Sequence, residues 1–246
     1  MARMRLDRML AQMGFGTRSQ VREMVRAGRV TVDGAAARDA GLQLDPDAQE
    51  TRVDGQRLEW KAVRTVMLNK PLGVVTAARD PKQPTVMDLL PPLYRAMGCM
   101  PAGRLDKDTE GMLVITNDGQ LAHRLITPGK EVGKLYEARV DGPLGPADAA
   151  AFAEGIAIRD ADGSFDAKPA RLRILSAGDQ ESVAQVYVTE GKYHQVRRMF
   201  ASRGRQVLAL TRLAIGSMRL DGALAPGEWR EMTPEEIRLL ETEPTE

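Results

Sequence analysis

The sequence predicts an α+β protein: a small helix–helix–β module followed by a larger domain with a mainly antiparallel mixed sheet. Two observations support this prediction. In the first sixty residues, apolar side chains recur at helical spacing in two short segments, which a strand-like segment follows. After residue 61, strand-like runs outnumber helical ones without alternating regularly with them. We therefore predict domains at residues 1–60 and 62–241, with 242–246 as a frayed tail.

The small module is predicted from helix and turn signals. Thr17 can cap a second helix after the break "GFGT", and Gly28 can end it. The segment "RVTVDG" alternates and ends in Asp-Gly, which predicts a short strand and a hairpin. The residues expected on the apolar faces are Leu6, Met9, Leu10 and Met13 in the first helix and Val21, Met24 and Val25 in the second.

The larger domain is predicted from seven strand-like runs and four helical segments. The runs are "TVMLN", "GVVTA", "MLVIT", "KLYEARV", "RLRIL", "SVAQVYVTE" and "VLALTRLAIG". The helical segments lie near residues 86–97, 119–127, 146–154 and 193–203. No internal repeat is evident.

Composition excludes several classes of protein. Hydrophobic residues at 43% and charged residues at 28% are typical of a globular chain. The longest apolar runs are too short to cross a bilayer, and "MARMRLDRML" lacks the apolar core of a signal peptide, so we expect a soluble cytoplasmic protein. Cys99 is the only cysteine and there are two histidines, too few ligands for a thiolate and imidazole zinc site. We interpret Cys99 as a packed small residue, with a reactive thiol as the alternative.

The net charge of +1 conceals a strong asymmetry along the chain. Residues 1–32 contain seven arginines and two acidic residues, whereas residues 227–246 contain seven glutamates and two arginines. Arg18, Arg22 and Arg26 recur every four residues and form one face of the second helix, which we call the arginine face. Together with Arg3, Arg5 and Arg29 they predict a surface for phosphate backbones, although a solvated helix face is the usual role of any one of them.

The string "MRLDRMLAQMGFGTRSQVREMVRAGRVTVDG" resembles an S4 RNA-binding domain, in which two helices and a β-element present basic residues to structured RNA. The resemblance rests on the Arg-Leu-Asp opening, the glycine between the helices and the ending "GRVTVDG". It implies RNA binding without catalysis.

Three carboxylates at alternate positions mark "GRLDKDTEG". Asp106, Asp108 and Glu110 match positions one, three and five of a calcium loop, but position twelve is Asn117 instead of a glutamate. Lys107 also adds a positive charge among the ligands, so we exclude calcium. Two carboxylates at i and i+2 are poorly placed for a glycosidase. Capping of a turn is the ordinary role of such a cluster.

The longer string "GRLDKDTEGMLVITNDGQLAHRL" resembles the signature of the bacterial ribosomal pseudouridine synthases. Three further segments extend the resemblance: "NKPLGVV" at 69–75, "KLYEARV" at 134–140 and "EGKYHQVRRMF" at 190–200. The order of module, catalytic domain and short tail is most similar to the small-subunit branch of that family. The resemblance implies isomerisation of uridine to pseudouridine without metal, nucleotide or redox cofactor.

The resemblance also implies a catalytic set. Asp106 would be the nucleophile, ionised at neutral pH because a free aspartate has a pKa near ~3.9. Arg104 would hold the target nucleotide out of its stack, and Tyr136 would lie against the uracil. Arg197 would pair with Asp106. Alone, Tyr136 would be a core aromatic and Arg197 a surface ion pair.

Further residues are expected at the RNA. Lys70, His194 and Gln195 join the basic residues of the module in this set. Lys70, with Pro71, is expected to shape the floor of the site more than to take part in bond making. His194 has no serine or cysteine partner in the sequence, so it is interpreted as structural or RNA-contacting.

The implied substrate is 16S ribosomal RNA or a small-subunit assembly intermediate, and uridine 516 is the usual target of that branch. A 23S ribosomal RNA enzyme of the same family and a noncatalytic RNA-binding assembly factor are the alternatives. The sequence leaves open whether Asp106 attacks the sugar or base or removes a ribose proton to form a glycal. We expect a monomer that binds neither a membrane nor a nucleotide cofactor.

Overall fold

The computed structural model describes residues 3–127 and 129–243. The chain forms two compact units, Met1–Arg64 with Leu90–Cys99, and Thr65–Leu89 with Met100–Glu246. The predicted division near residue 61 differs from these units in placing residues 90–99 in the larger domain. Residues 244–246 of the predicted tail lie outside the described residues.

The first unit contains two helices and short strands from its N-terminal part, and a third helix from the segment Leu90–Cys99. Its elements are β1 Met4–Arg5, α1 Leu6–Gln12, α2 Arg18–Arg26, β2 Val30–Val32, β3 Ala35–Ala36, β4 Gln43–Leu44, β5 Thr51–Val53, β6 Gln56–Arg57 and α3 Pro92–Ala96. Strands β3, β2, β5 and β6 form one sheet in that order, and β1 pairs with β4. The sheet and helices enclose a core that includes Leu6, Leu10, Val21 and Val25.

The helix signals of this unit are confirmed. The Thr17 hydroxyl accepts a hydrogen bond from the Gln20 amide, and the Gln20 side chain accepts one from the Thr17 amide, so two backbone donors at the start of α2 are satisfied. Asp33 and Gly34 have φ values of +51° and +79°, which join β2 and β3 through the tight turn that Asp-Gly favours.

The second unit is built on a nine-stranded sheet. Its elements are β7 Thr65–Lys70, a 3₁₀ turn Val86–Leu89, β8 Met100–Pro101, β9 Glu110–Thr116, α4 Gly119–Ile126, β10 Lys134–Asp141, α5 Pro146–Glu154, β11 Ile156–Asp160, β12 Gly163–Ala167, β13 Arg171–Ala177, β14 Glu181–Val188, α6 Gln195–Ala201, β15 Val207–Ile215, β16 Met218–Arg219, β17 Trp229–Glu231 and α7 Pro234–Leu239. The order is β13-β14-β10-β15-β9-β7-β17, with β16 on β15 and β8 on β9. Every pair is antiparallel except β15 with β9, which confirms the predicted fold class.

Two apolar clusters stabilise this sheet. In one, Phe152 of α5 and Phe200 of α6 pack with their ring centroids 5.0 Å apart, alongside side chains of β10, β14 and β15. In the other, Met112 and Val114 of β9 pack with Leu121 of α4. Strand β9 is therefore central and buried, and the loop that precedes it rests on a rigid element.

One predicted strand is wrong, and several elements were not predicted. Residues 73–77, "GVVTA", form only an isolated bridge between Val75 and Thr85, because this segment bonds to a neighbouring loop instead of a sheet edge. The hairpin β11–β12 is rich in Asp, Gly and Ser, which hid it from a search for apolar alternation. Strand β17 and helix α7 were likewise missed in the charged C-terminal stretch.

No helix in the described ranges is both long and apolar enough to span a membrane. Within the same ranges, no three side chains of His, Cys, Asp or Glu come together in a group suited to a metal ion.

Candidate active site

The acidic stretch forms a loop between β8 and β9. We call residues 103–109 the aspartate loop; it contains Arg104, Asp106 and Asp108 and enters β9 at Glu110. At Gly111, φ is +102°, and a Cβ atom would clash with the backbone of Arg212 on β15. Glycine therefore allows β15 to approach the start of β9 at this point.

The segment 70–76, which we call the clamp segment, holds the aspartate loop through its backbone. Lys70 Nζ donates to the Thr109 carbonyl at 2.9 Å, and the Gly73 amide donates to the Lys107 carbonyl at 2.9 Å. The Thr76 hydroxyl donates to the Leu105 carbonyl at 2.7 Å and accepts the Leu105 amide at 3.2 Å. The loop is thus fixed at every second residue.

Lys70 is completely buried, so the prediction that it contacts RNA is corrected. Its ammonium also donates to the Pro71 carbonyl at 3.0 Å, so its hydrogen bonds hold backbone. Burial lowers the pKa of Lys70 to about 8, and the nearby charges of Asp106, Asp108 and Glu110 oppose that decrease. Lys70 therefore holds the backbone of the aspartate loop from a buried position.

Asp106 remains accessible, with 30% of its side chain exposed. Its Oδ1 lies 3.7 Å from Nε2 of His194, the residue that precedes α6. His194 has φ of +50°, a left-handed conformation that histidine adopts more readily than most residues. The structure thus brings His194 beside the predicted nucleophile.

Arg197 does not form the expected pair with Asp106. Its Nη2 donates to the Asp108 carbonyl at 2.8 Å and lies 3.1 Å from Asp108 Oδ2. Its Nη1 donates to the Val207 carbonyl at 3.2 Å. These contacts direct the guanidinium to the second carboxylate of the loop, so Arg197 fixes the aspartate loop against β15.

Gln195 is also misassigned as an RNA contact. It is only 5% exposed, and both ends of its amide are used within the protein. Nε2 donates to Glu190 Oε1 at 2.8 Å, and Oε1 accepts the Lys192 amide at 3.0 Å. Gln195 therefore fixes the turn that leads to His194.

Arg212, which is 3% exposed, is a site residue that was not predicted from the sequence. On β15 it is the partner of Tyr136 on β10, and its Nη1 lies 3.4 Å from both the Tyr136 hydroxyl and the Arg104 carbonyl. Its Nε donates to the Met112 carbonyl at 2.7 Å. Nη2 is buried and has no hydrogen-bond partner among the described residues. One guanidinium therefore joins the aspartate loop, β9 and Tyr136.

A signal for Arg212 exists in the sequence. It is the single charged residue within the strand-like run "VLALTRLAIG". A charged residue on a buried strand requires polar partners. A cluster of buried polar groups of this kind indicates a functional site.

The predicted RNA-contacting arginines of the first unit divide into two groups. All six are exposed, as is Arg104 of the second unit, and the second group, Arg5, Arg22 and Arg29, additionally contacts carboxylates. Arg5 donates twice to the buried Asp7, at 3.0 and 2.9 Å, and lowers the pKa of that carboxyl.

Two more of these arginines have acidic neighbours. Arg22 lies 3.8 Å from Asp7, and Arg29 forms two hydrogen bonds with Asp54 at 2.8 and 2.6 Å. The charge of Arg29 is therefore partly neutralised by the protein itself, as is that of Arg5.

The arrangement can perform carboxylate chemistry. It combines an accessible aspartate on a fixed backbone, a phenol whose hydroxyl faces a guanidinium, and an exposed arginine two residues before the aspartate. The carboxylate can act as a nucleophile or as a base, and the phenol can stack on a planar ring and transfer a proton.

Comparison with known proteins identifies both parts of the chain. Residues 64–202 match the RNA pseudouridylate synthase family, and residues 4–49 match the S4 domain. A protein of Bacillus subtilis described as an uncharacterized RNA pseudouridine synthase, YtzG, is 45% identical over 96% of this chain and 98% of its own length.

Other relatives are similar over the same extent. The ribosomal small subunit pseudouridine synthase A of Escherichia coli strain K12 is 38% identical, over 95% of this chain and 98% of its own length. A crystal structure of a pseudouridylate synthase aligns with a TM-score of 0.65 and 35% identity, over 96% of this chain and 99% of that one. The chain therefore belongs to the RNA pseudouridylate synthase family and has an S4 domain at its N-terminal end.

Proposed function

We propose that this enzyme isomerises a uridine of 16S ribosomal RNA to pseudouridine, with Asp106 as the nucleophile and uridine 516 as the first target to test. The small-subunit assignment draws on the relatives of that name in Escherichia coli and Yersinia pestis, 38% and 39% identical over nearly the full chain. The observation that supports the chemistry best is the accessible Asp106 carboxylate on a loop whose backbone is bonded at every second residue.

The reaction breaks the bond between ribose C1′ and uracil N1, turns the base and joins C1′ to C5. All atoms of the nucleotide are retained, so no redox partner is required. Asp106 either bonds covalently to the nucleotide or removes a ribose proton. Tyr136 lies against the uracil, and its hydroxyl assists proton transfer at C5. Arg104 enters the space left by the extruded nucleotide, since chemistry on a base requires its removal from the stack.

Two other arginines position these groups. Arg212 orients the Tyr136 hydroxyl and the Arg104 carbonyl from one buried guanidinium. Arg197 holds Asp108, and through it the aspartate loop. Asp106 Oδ1, for which Arg197 was the predicted partner, instead lies 3.7 Å from Nε2 of the His194 imidazole.

The first domain, residues 1–60, supplies affinity for RNA, and the second, residues 62–241, supplies catalysis. Arg3, Arg18 and Arg26 are exposed and available for phosphates, whereas Arg5 and Arg29 are held by carboxylates. Phosphate contacts of this kind add affinity without reading sequence.

The test maps pseudouridine in 16S and 23S ribosomal RNA from a strain that lacks the gene, complemented with wild type, Asp106→Asn or Asp108→Asn. We expect wild type and Asp108→Asn to restore a 16S modification and Asp106→Asn to restore none. Restoration by Asp106→Asn would overturn the nucleophile assignment. A modification found in 23S RNA instead would overturn the 16S assignment but would still support the proposed reaction.

Failure of wild type to modify either RNA, with RNA binding retained, would instead support a noncatalytic assembly factor.

A further inference from the structure

Tyr193 is the one exposed residue among the Phe, Tyr and Trp side chains of the described ranges, with 57% of the residue accessible to solvent. Only ten of the 246 residues are Phe, Tyr or Trp. An isolated exposed apolar residue is ordinary, so exposure alone does not indicate a function. The surroundings of Tyr193 are what distinguish it.

One face of the Tyr193 ring is covered by the imidazole of His194. The two ring centroids are 3.8 Å apart and the planes differ by 20°, which is a parallel stack of consecutive residues. His194 makes this stack from a left-handed backbone conformation, with φ of +50°. The second face of the Tyr193 ring has no stacking or cation–π partner among the described residues.

Hydrogen bonds hold the turn that presents this pair. Gln195 donates to Glu190 and accepts the Lys192 amide, so the turn is bonded on both sides of Tyr193. Lys192 also donates to the Asp166 carbonyl at 2.9 Å, which fixes it to the hairpin β11–β12. An exposed ring on a fixed turn can be stacked upon with little loss of conformational entropy.

The pair lies directly beside the proposed nucleophile, because His194 Nε2 is 3.7 Å from Asp106 Oδ1. Asp106, His194 and Tyr193 thus follow one another from the reacting carboxylate outward to solvent. A nucleotide held at Asp106 would bring the nucleotide next to it in the chain to the position of Tyr193.

We propose that Tyr193 stacks on the base adjacent to the target uridine, with His194 supporting the ring from behind. The proposal rests on the proposed function, since extrusion of the target removes a stacking partner from each of its neighbours. An aromatic ring replaces that partner and accepts any base, because every base has a π-face. Tyr193 therefore contributes to binding of the extruded state and not to bond making.

The test is a binding cycle on a synthetic 16S RNA fragment that contains uridine 516. Intact RNA is compared with fragments in which the base on the 5′ or the 3′ side of the target is replaced by an abasic site. Wild type, Tyr193→Ala and Tyr193→Phe are measured with each fragment, and pseudouridine formation by wild type on the intact fragment is measured in parallel. Thermal unfolding verifies that each variant is folded.

With intact RNA, Tyr193→Ala is expected to weaken binding about 5- to 150-fold, the range given by loss of one base–aromatic stack. Tyr193→Phe retains the ring and should bind as wild type does. For one of the two abasic fragments, wild type and Tyr193→Phe should bind more weakly than they bind intact RNA, by a similar factor. Tyr193→Ala should bind that fragment as well as it binds intact RNA.

Equal abasic penalties in wild type and Tyr193→Ala on both sides of the target would overturn the proposal. If wild type forms pseudouridine under that result, only the stacking role of Tyr193 fails. If wild type forms none while the binding cycle shows coupling, the stacking surface is supported and the proposed reaction on this RNA fails.

Discussion

Arg212 and Tyr136 are cross-strand partners on β15 and β10, and the guanidinium Nη1 lies 3.4 Å from the phenol oxygen. The guanidinium carbon is 6.0 Å from the centre of the Tyr136 ring, so the side chain meets both the hydroxyl and the ring. Because the same group also reaches the Arg104 carbonyl, the position of the phenol and that of the aspartate loop depend on one side chain.

Arg212→Lys is therefore expected to lower kcat by about 100-fold with a small change in KM, since a small displacement of catalytic groups costs that much. Lysine retains the charge but lacks the planar fork that reaches several acceptors at once. Single-turnover pseudouridine formation measures the effect, and Arg219→Lys, an exposed residue on the neighbouring strand β16, is the matched control. An unchanged kcat in Arg212→Lys would contradict the positioning role.

Lys70 makes folding stability depend on alkaline pH. Its pKa is about 8 in the folded protein and 10.5 when unperturbed, so between these values the unfolded chain binds more protons. The free energy of unfolding contributed by Lys70 should therefore rise from pH 8 to pH 10.5 and be lost again as the pH falls towards 8.

Denaturant unfolding across that range should show a smaller rise in Lys70→Met than in wild type. Lys134 has a pKa that burial also lowers to about 8, so Lys134→Met should remove a second part of the rise. The same slope in wild type and Lys70→Met would show that Lys70 titrates normally.

Gly111 permits the close approach of β9 and β15. Gly111→Ala places a methyl group against the Arg212 backbone at a φ of +102°, so we expect a loss of more than about 1 kcal/mol in the free energy of unfolding. Gly119→Ala is the matched control, because Gly119 begins α4 and a Cβ there meets nothing within 4 Å. That variant should be unchanged or slightly more stable. Equal stability of the two variants would contradict the steric argument.

The exposed arginines of the first unit should dominate the salt dependence of RNA binding. Arg18→Ala combined with Arg26→Ala is expected to weaken binding most at low salt and to reduce the slope of log K against log salt by roughly 0.7 to 0.9 for each phosphate that is no longer neutralised. Arg29→Ala should have a smaller effect, because Asp54 already holds its guanidinium. Binding isotherms at several salt concentrations measure the slope, and an identical slope in the double variant would remove these residues from the interface.

Point variants test the contribution of the first unit to RNA binding better than deletion of residues 1–60. The first compact unit also includes Leu90–Cys99, so deletion would leave that segment without the rest of its unit.

Local signals in the sequence were sufficient for elements that nearby residues determine. The Thr17 cap, the Asp33-Gly34 turn and the buried strand after Gly111 each depend on a few neighbouring residues, and all are confirmed. The partners of long side chains depend on tertiary structure instead. Arg197 reaches Asp108 and not Asp106 through a contact 89 positions away in the chain. Gln195, in contrast, turns inward to Glu190 and Lys192, which are only five and three positions away.

Arg212 was missed for a related reason. A lone charge in an apolar strand indicates a buried polar partner without identifying it, and here the Arg104 carbonyl and the Tyr136 hydroxyl lie more than seventy positions away in the chain. Segment 73–77 was misassigned because it bonds to a loop. Apolar alternation cannot distinguish such a segment from a strand that pairs within a sheet.

The clamp segment makes spacing as important as residue identity in the aspartate loop. It forms hydrogen bonds with the loop backbone at residues 105, 107 and 109, and these bonds do not involve the side chains between them. An insertion of one residue before Asp106 would leave the bonds available but would present a different side chain at the reacting position. The fold thus sets the length of this loop through its backbone, and the identity of the side chain that meets the substrate depends on that length.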